Sequence, residues 1–221
     1  MLNEANIPDA HAALLGDPHP LIERLGSPDG WAGLPATAAL RFETVNSVPS
    51  LRKFLEKYRA EILFKTELPS ILRAHQHAGR NEVRELIEFD AQLGREPLFR
   101  EFASASQRVG RAQLRRLRPL RDHRFVKRYL GAVESGDAHG WHTLVYGVGL
   151  SLYSLPLRQG LNGYARQTLG GFIHAAARQL RLPELECTNL LEEVMSSVPP
   201  AVEATLQHGM STTLAIVDRT A

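Results

Sequence analysis

"GYARQTLGGFIHAAAR", residues 163–178, combines helical apolar spacing with Gly163, Gly170 and Gly171, and Gly160 lies just upstream. A glycine inside a helix costs about 1 kcal/mol relative to alanine, so burial has to offset several such penalties. The wider stretch supplies it: Leu157, Leu161, Ala165, Leu169, Phe172, Ala176 and Leu180 recur at gaps of three or four, the signature of one apolar helix face. Large apolar side chains contribute about 2 kcal/mol each on burial. No strand precedes the glycines, which excludes a phosphate-cradling loop. The spacing predicts a long buried helix. Its small residues (Gly160, Gly163, Gly170, Gly171, Ala175 and Ala177) let a helix of the same chain or of a second subunit approach its backbone.

Working outward, the punctuation separates helix after helix. Leu51, Phe54, Leu55, Tyr58 and Ile62 follow Pro49 at helical spacing, and Thr66 and Pro69 interrupt before a second helix that ends near Gly79. Asn81 is placed to cap a third, which stops at Gly94. A fourth carries Leu98, Phe102, Ala105, Val109 and Ala112; a fifth runs from about Asp122 to Glu134; a sixth is opened by Asp137 or His139 and stops near Ser154. Pro183 opens a further helix through Met195, and Ala201–Leu206 adds a turn or two. Only "TTLAIV", residues 212–217, looks strand-like, and no βαβ rhythm is present. The expectation is a single-domain all-α bundle of roughly eight to ten helices. It divides into an N-terminal arm and Gly/Pro-rich loop (1–36), a helical domain (37–210) and a tail (211–221).

The 221 residues, 43% of them hydrophobic, are enough for one sizeable core. No apolar run is long enough to span a membrane. The acids and prolines at the N-terminus do not read as a signal peptide, so a cytoplasmic location is expected. Cys187 is the single cysteine, which rules out an internal disulfide or a thiolate cluster. The net charge of +2 is unevenly spread. Between Arg108 and Arg128 nine basic residues face one acid, Asp122, which leaves +8 on that segment and −6 on the rest. Such polarity favours docking something charged. Arg108, Arg111, Arg115 and Arg118 form a stripe that could track phosphates or meet an acidic protein surface. The acidic remainder and the lack of interleaved aromatics favour the protein partner over nucleic acid.

Enzymatic signatures are absent: no phosphate loop, metalloprotease His pair, nucleophile elbow or dinucleotide fingerprint occurs. His75 and His77 are two apart and point to different sides of a helix. Asp137, His139 and His142 lack a third strong ligand nearby and read as helix-start polar residues. Cys187 reads as a small buried side chain, and Glu82–Glu85 and Glu192–Glu193 as solvated faces. Neither a resident metal nor a cofactor is expected.

Once the helices are placed, the chain resembles the urease accessory protein F family, all-α chaperones of nickel insertion. The family's H-x-x-x-[FY]-G pattern stands as His142-Thr-Leu-Val-Tyr146-Gly147, and Tyr164 precedes the Gly170-Gly171-Phe172-Ile173-His174-Ala175-Ala176-Ala177-Arg178 stretch. Glu101, Ser106, Gly110 and Arg111 match a further motif helix, Glu67-Leu68-Pro69 the D-L-P motif, and Ser27-Pro28 through Gly33 the N-terminal loop. The chain departs from the family at "LPATAAL" after the loop glycine, at Ala103, at Cys187-Thr188, and at the tail "LAIVDRTA". The resemblance implies a non-enzymatic role with a UreD/UreH-type scaffold protein and a UreG-type GTPase on apo-urease, with nickel and GTP held by those partners. It also implies partner-binding positions at Ser27, Gly33, Arg108, Arg111, Arg115, Arg118 and Tyr164, and helix packing or a homodimer contact at Gly163, Gly170 and Gly171. Two competing readings remain at this level: a helical nucleic-acid-binding regulator using 108–128, and an enzyme with a buried site at His142 and Glu101.

Overall fold

The computed structural model describes residues 45–96, 103–117 and 124–217, with the side chains of Ser104, Ala105 and residues 210–217 left aside. Ser27, Gly33, Glu101, Arg118 and the 1–36 arm lie outside the described residues. Everything regular in the described part is helical. In chain order the helices are α1 (Val48–Tyr58), a π-helical segment (Arg59–Glu67), α2 (Leu68–Gly79), α3 (Val83–Leu93), α4 (Ala103–Arg116), α5 (Arg124–Ser135), α6 (His142–Leu152), α7 (Leu157–Leu180), α8 (Glu184–Met195) and α9 (Val198–Val217).

Among the described residues the first two helices expected from the sequence are continuous through the π-helical segment and form one rod. Ser47 starts the rod with a capping box: Ser50 N–H donates to Ser47 Oγ (3.4 Å) and Ser47 N–H to Ser50 Oγ (3.0 Å). Pro69 does not break it. A proline normally strikes the carbonyl one turn back, but here the wide π turn precedes it, with Leu68 N–H reaching back to Leu63 O. The extra residue also rotates the downstream face, and Glu67 is carried inward to 1% exposure.

α6 is the axis of the bundle. Every residue from His142 to Leu150 is buried, the pattern of a helix enclosed on all sides. It packs along α2 and against α4 and α7. Gly147 makes the α2 contact possible, since a Cβ there would collide with the Ile71 carbonyl and sit 3.0 Å from Ala74 Cβ. Gly110 of α4 plays the same part toward the Gly140–His142 backbone. Around this axis the buried set is contiguous, and Phe172 meets Phe54 and Tyr58 edge-on at 5.3 and 4.7 Å between centroids.

The α7 stripe faces this core as its spacing predicts, with Leu161, Ala165, Leu169, Phe172 and Ala176 buried. Its glycines differ from one another. A Cβ at Gly160 would fall 2.6 Å from Leu150 Cδ1, whereas one at Gly170 would meet Leu191 of α8 at an ordinary 3.6 Å. Gly163 and Gly171 are half-buried.

Three local expectations are corrected. Residues 212–217 continue α9 instead of forming a strand; once three turns precede them, each further residue propagates the helix at little cost despite its β-branching. Asn81 is not the cap of α3: it turns the chain at φ 59°, and Glu82 occupies the cap position. α6 starts at His142, after Trp141 at the cap, and not at Asp137 or His139.

Candidate functional site

Five of the described motif positions (Glu67, Ser106, His142, Tyr146 and Tyr164) converge in the interior, and four of them belong to one buried polar chain. Ser106 Oγ lies 2.8 Å from His142 Nδ1, and His142 Nε2 lies 2.8 Å from the Tyr164 hydroxyl. The Tyr164 hydroxyl is bonded in turn to the Glu67 carboxylate and to Thr168. Tyr58 donates to Glu67 Oε2 at 2.6 Å. The links run from α4 through α6 and α7 to the end of the π segment and back to α1. Ser106, Glu67, Tyr58, Tyr164 and His142 are all at most 4% exposed.

One proton order satisfies the whole chain when Glu67 is ionised. The Ser106 hydroxyl donates to Nδ1, Nε2–H donates to Tyr164, and both tyrosines donate to the carboxylate. His142 N–H completes the arrangement by donating to Ser106 Oγ at 3.4 Å. Burial first, and the Glu67 charge second, push the Tyr58 and Tyr164 hydroxyls well above the ordinary phenol range. Both therefore remain donors. Tyr146 stands beside Tyr164, 5.3 Å between centroids, and donates to Gly160 O at 3.0 Å; burial raises its hydroxyl too.

A second buried carboxylate sets the start of α6. Asp90, fully buried, accepts from Tyr129 Oη (2.7 Å), His139 N–H (2.6 Å) and Gly140 N–H (3.0 Å). Its carbonyl accepts from Trp141 Nε1 at 3.0 Å. Gly140 needs the left-handed conformation (φ 73°) to present its amide. Asp90 thus holds the loop that aims His142 at Ser106 and Tyr164. The sequence reading passed over Asp90, yet a signal was present: it occupies the apolar face of α3 with Val83, Leu86 and Leu93.

The other sequence-derived positions sort by depth. Tyr164, grouped by resemblance with partner-binding residues, is 1% exposed with its hydroxyl engaged inside the bundle. It cannot reach a partner directly and belongs to the interior chain. Arg108, Arg115 and Arg116 are exposed on α4, and Arg124, Lys127 and Arg128 on α5, which packs beside it. Arg111 is half-buried and donates to His139 O at 3.4 Å. Three of the four glutamates read as solvated faces have a side-chain partner: Glu193 pairs with Arg52 at 2.9 Å, Glu192 pairs with Arg166, and Glu82 is hydrogen-bonded to His77 Nδ1 at 2.8 Å.

What this interior can do chemically is limited. His142 is 4% exposed, and both of its ring nitrogens are engaged inside the bundle. Among those residues no group of three or more His, Cys, Asp or Glu is placed to hold a metal ion. No described helix is long and apolar enough to cross a membrane. The family model described as UreF matches residues 45–195, about two thirds of the chain. No curated protein matches.

Proposed function

The chain belongs to the UreF family of urease accessory proteins, and from that premise we propose that it is a non-enzymatic chaperone in urease maturation. In this reading it assembles with a UreD/UreH-type scaffold protein and a UreG-type GTPase on apo-urease in the cytoplasm. It assists GTP-dependent nickel insertion, with nickel as cargo and GTP on the partner. The observation that carries the proposal is where the motif residues lie. Ser106, Gly110, His142, Tyr146, Gly147 and Tyr164 fix the interior, which leaves the outer faces for partners. Of those faces, the basic surface of α4 and α5 is the candidate for docking an acidic protein, since opposed charge steers association and fixes register.

Co-expression with the same organism's scaffold protein and GTPase, followed by pull-down, tests the proposal. Recovery of a stoichiometric complex supports it. Recovery of neither partner, with the bundle folded by circular dichroism, removes it.

A further inference from the structure

A groove of about 680 Å³ runs along the outside of the α2–α9 contact, and its lining includes no residue of the buried polar chain and none of α4 or α5. The two helices touch where Gly209 meets Leu72, since a Cβ on Gly209 would lie 2.5 Å from Leu72 Cδ2. Beside that contact, α2 contributes Pro69, Leu72, Arg73, Gln76 and His77, with Arg80 just beyond its end. These positions repeat at three and four and form one continuous helix face. They span eleven residues of rise, about 16 Å. The facing wall is built from Ala201, Ala204, Thr205 and His208, short enough at its alanines to leave the furrow open. α9 lies beyond the part of the chain matched by the family model.

Two arginines, Arg73 and Arg80, and two imidazoles, His77 and His208, line this furrow, and no aspartate or glutamate is among the lining residues; His77 Nδ1 is taken by Glu82 at 2.8 Å. Arg73 is the informative member. Its guanidinium stacks 4.1 Å over the Phe89 ring and approaches His77 Nε2 at 3.4 Å, but no described carboxylate pairs with it. Partial burial lowers its pKa, the mark of a cation held against apolar surface. Elsewhere on the bundle arginines such as Arg52, Arg158 and Arg166 have found a glutamate. A cation parked on an aromatic ring beside an apolar floor of Phe64 and Leu72 is set to receive a carboxylate that arrives with an apolar ridge.

We propose that the α2–α9 groove is a docking site for an acidic amphipathic helix, about three turns long, from a partner protein. Its apolar ridge lies on Phe64 and Leu72, and a carboxylate beside that ridge pairs with Arg73. The helix-in-groove mode requires an apolar furrow of this length, and the charge selects the sign of the partner. The assignment holds whether or not the chain serves urease.

The test uses the full chain and three fluorescein-labelled helical peptides with the same leucine stripe, flanked by Glu, Gln or Lys. Anisotropy should rank binding Glu over Gln over Lys. Arg73→Glu should weaken the Glu peptide by about tenfold or more and improve the Lys peptide. Ala204→Trp, at an exposed position that fills the furrow, should abolish binding of all three while the circular dichroism spectrum stays unchanged. An Arg115→Glu control on the α4–α5 face should leave the ranking intact. No binding of the Glu peptide, a ranking independent of charge, or loss of binding through Arg115→Glu instead of Arg73→Glu would overturn the proposal. So would self-association of the chain that Ala204→Trp disrupts, because the occupant would then be a second copy.

Discussion

Removing the Tyr164 hydroxyl isolates what the buried chain contributes, because phenylalanine keeps the ring and opens no large cavity. In Tyr164→Phe, His142 Nε2 and Thr168 each lose a buried partner, and Glu67 keeps Tyr58 but loses its second donor. A buried polar group stripped of its partner costs about 1–3 kcal/mol. Three affected groups, one of them only partly stripped, give an expected loss of about 2–4 kcal/mol. Tyr146→Phe is the matched control: the same ring, also buried, 5.3 Å away, with one hydrogen bond to Gly160 O. It should cost about 1 kcal/mol. Urea unfolding followed by far-UV circular dichroism, extrapolated linearly, separates the two when the slope m is unchanged. In the Tyr58→Phe/Tyr164→Phe pair Glu67 loses both tyrosine donors, so the double loss should exceed the sum of the singles by about 1–2 kcal/mol. A Tyr164→Phe variant as stable as Tyr146→Phe, with additive double losses, would show that these contacts do not act as a chain.

The glycines offer a pair of opposite signs. Gly170→Ala should stabilise by roughly 0.5–1 kcal/mol, because the new methyl meets only Leu191 at contact distance and the helix gains propensity. Gly147→Ala should destabilise by about 1–3 kcal/mol, because backbone of α2 stands in the way; thermal melts that order the two the other way would refute the packing assigned to α6. Above the usual phenol pKa of about 10 stability should fall with rising pH. Tyr58, Tyr129 and Tyr164 have folded values raised by burial and a nearby carboxylate, so the unfolded chain loses protons first and is favoured. Absorbance at 295 nm should therefore show these phenols ionising together with unfolding, and smooth ionisation of all tyrosines in the folded protein would contradict their burial. Reversing Arg115 and Arg128 to Glu should change stability by less than about 0.5 kcal/mol while weakening capture of an acidic partner; unaltered pull-down would mean that this basic face is only solvated.

The sequence made the helices legible because burial and helical period coincide along α7, α1 and α3. The motif residues were legible as a set, but their meaning was not. Glu67 and Tyr58 lie nine residues apart in a stretch whose π turn changes the register, so their contact cannot be read from a period of 3.6. Ser106 and His142 are 36 residues apart, joined only through the packing of α4 on α6. Asp90 was hidden by the opposite problem: one acid among apolar neighbours looks like a tolerated surface residue until the loop amides it serves are in place. The "TTLAIV" segment misled because β-propensity is a weak prior, overridden once a helix already runs into it. The α2–α9 groove needs two helices more than a hundred residues apart in sequence, and no local pattern announces it.

Nickel loading tests the central claim most directly. Urease purified from cells lacking this chain, and from cells in which it is restored, should be compared for nickel content per active site by mass spectrometry of the metal. The account predicts urease that is abundant but nickel-poor without the chain, and nickel-loaded when the wild-type chain is restored. Urease fully loaded with nickel in the absence of the chain would contradict it.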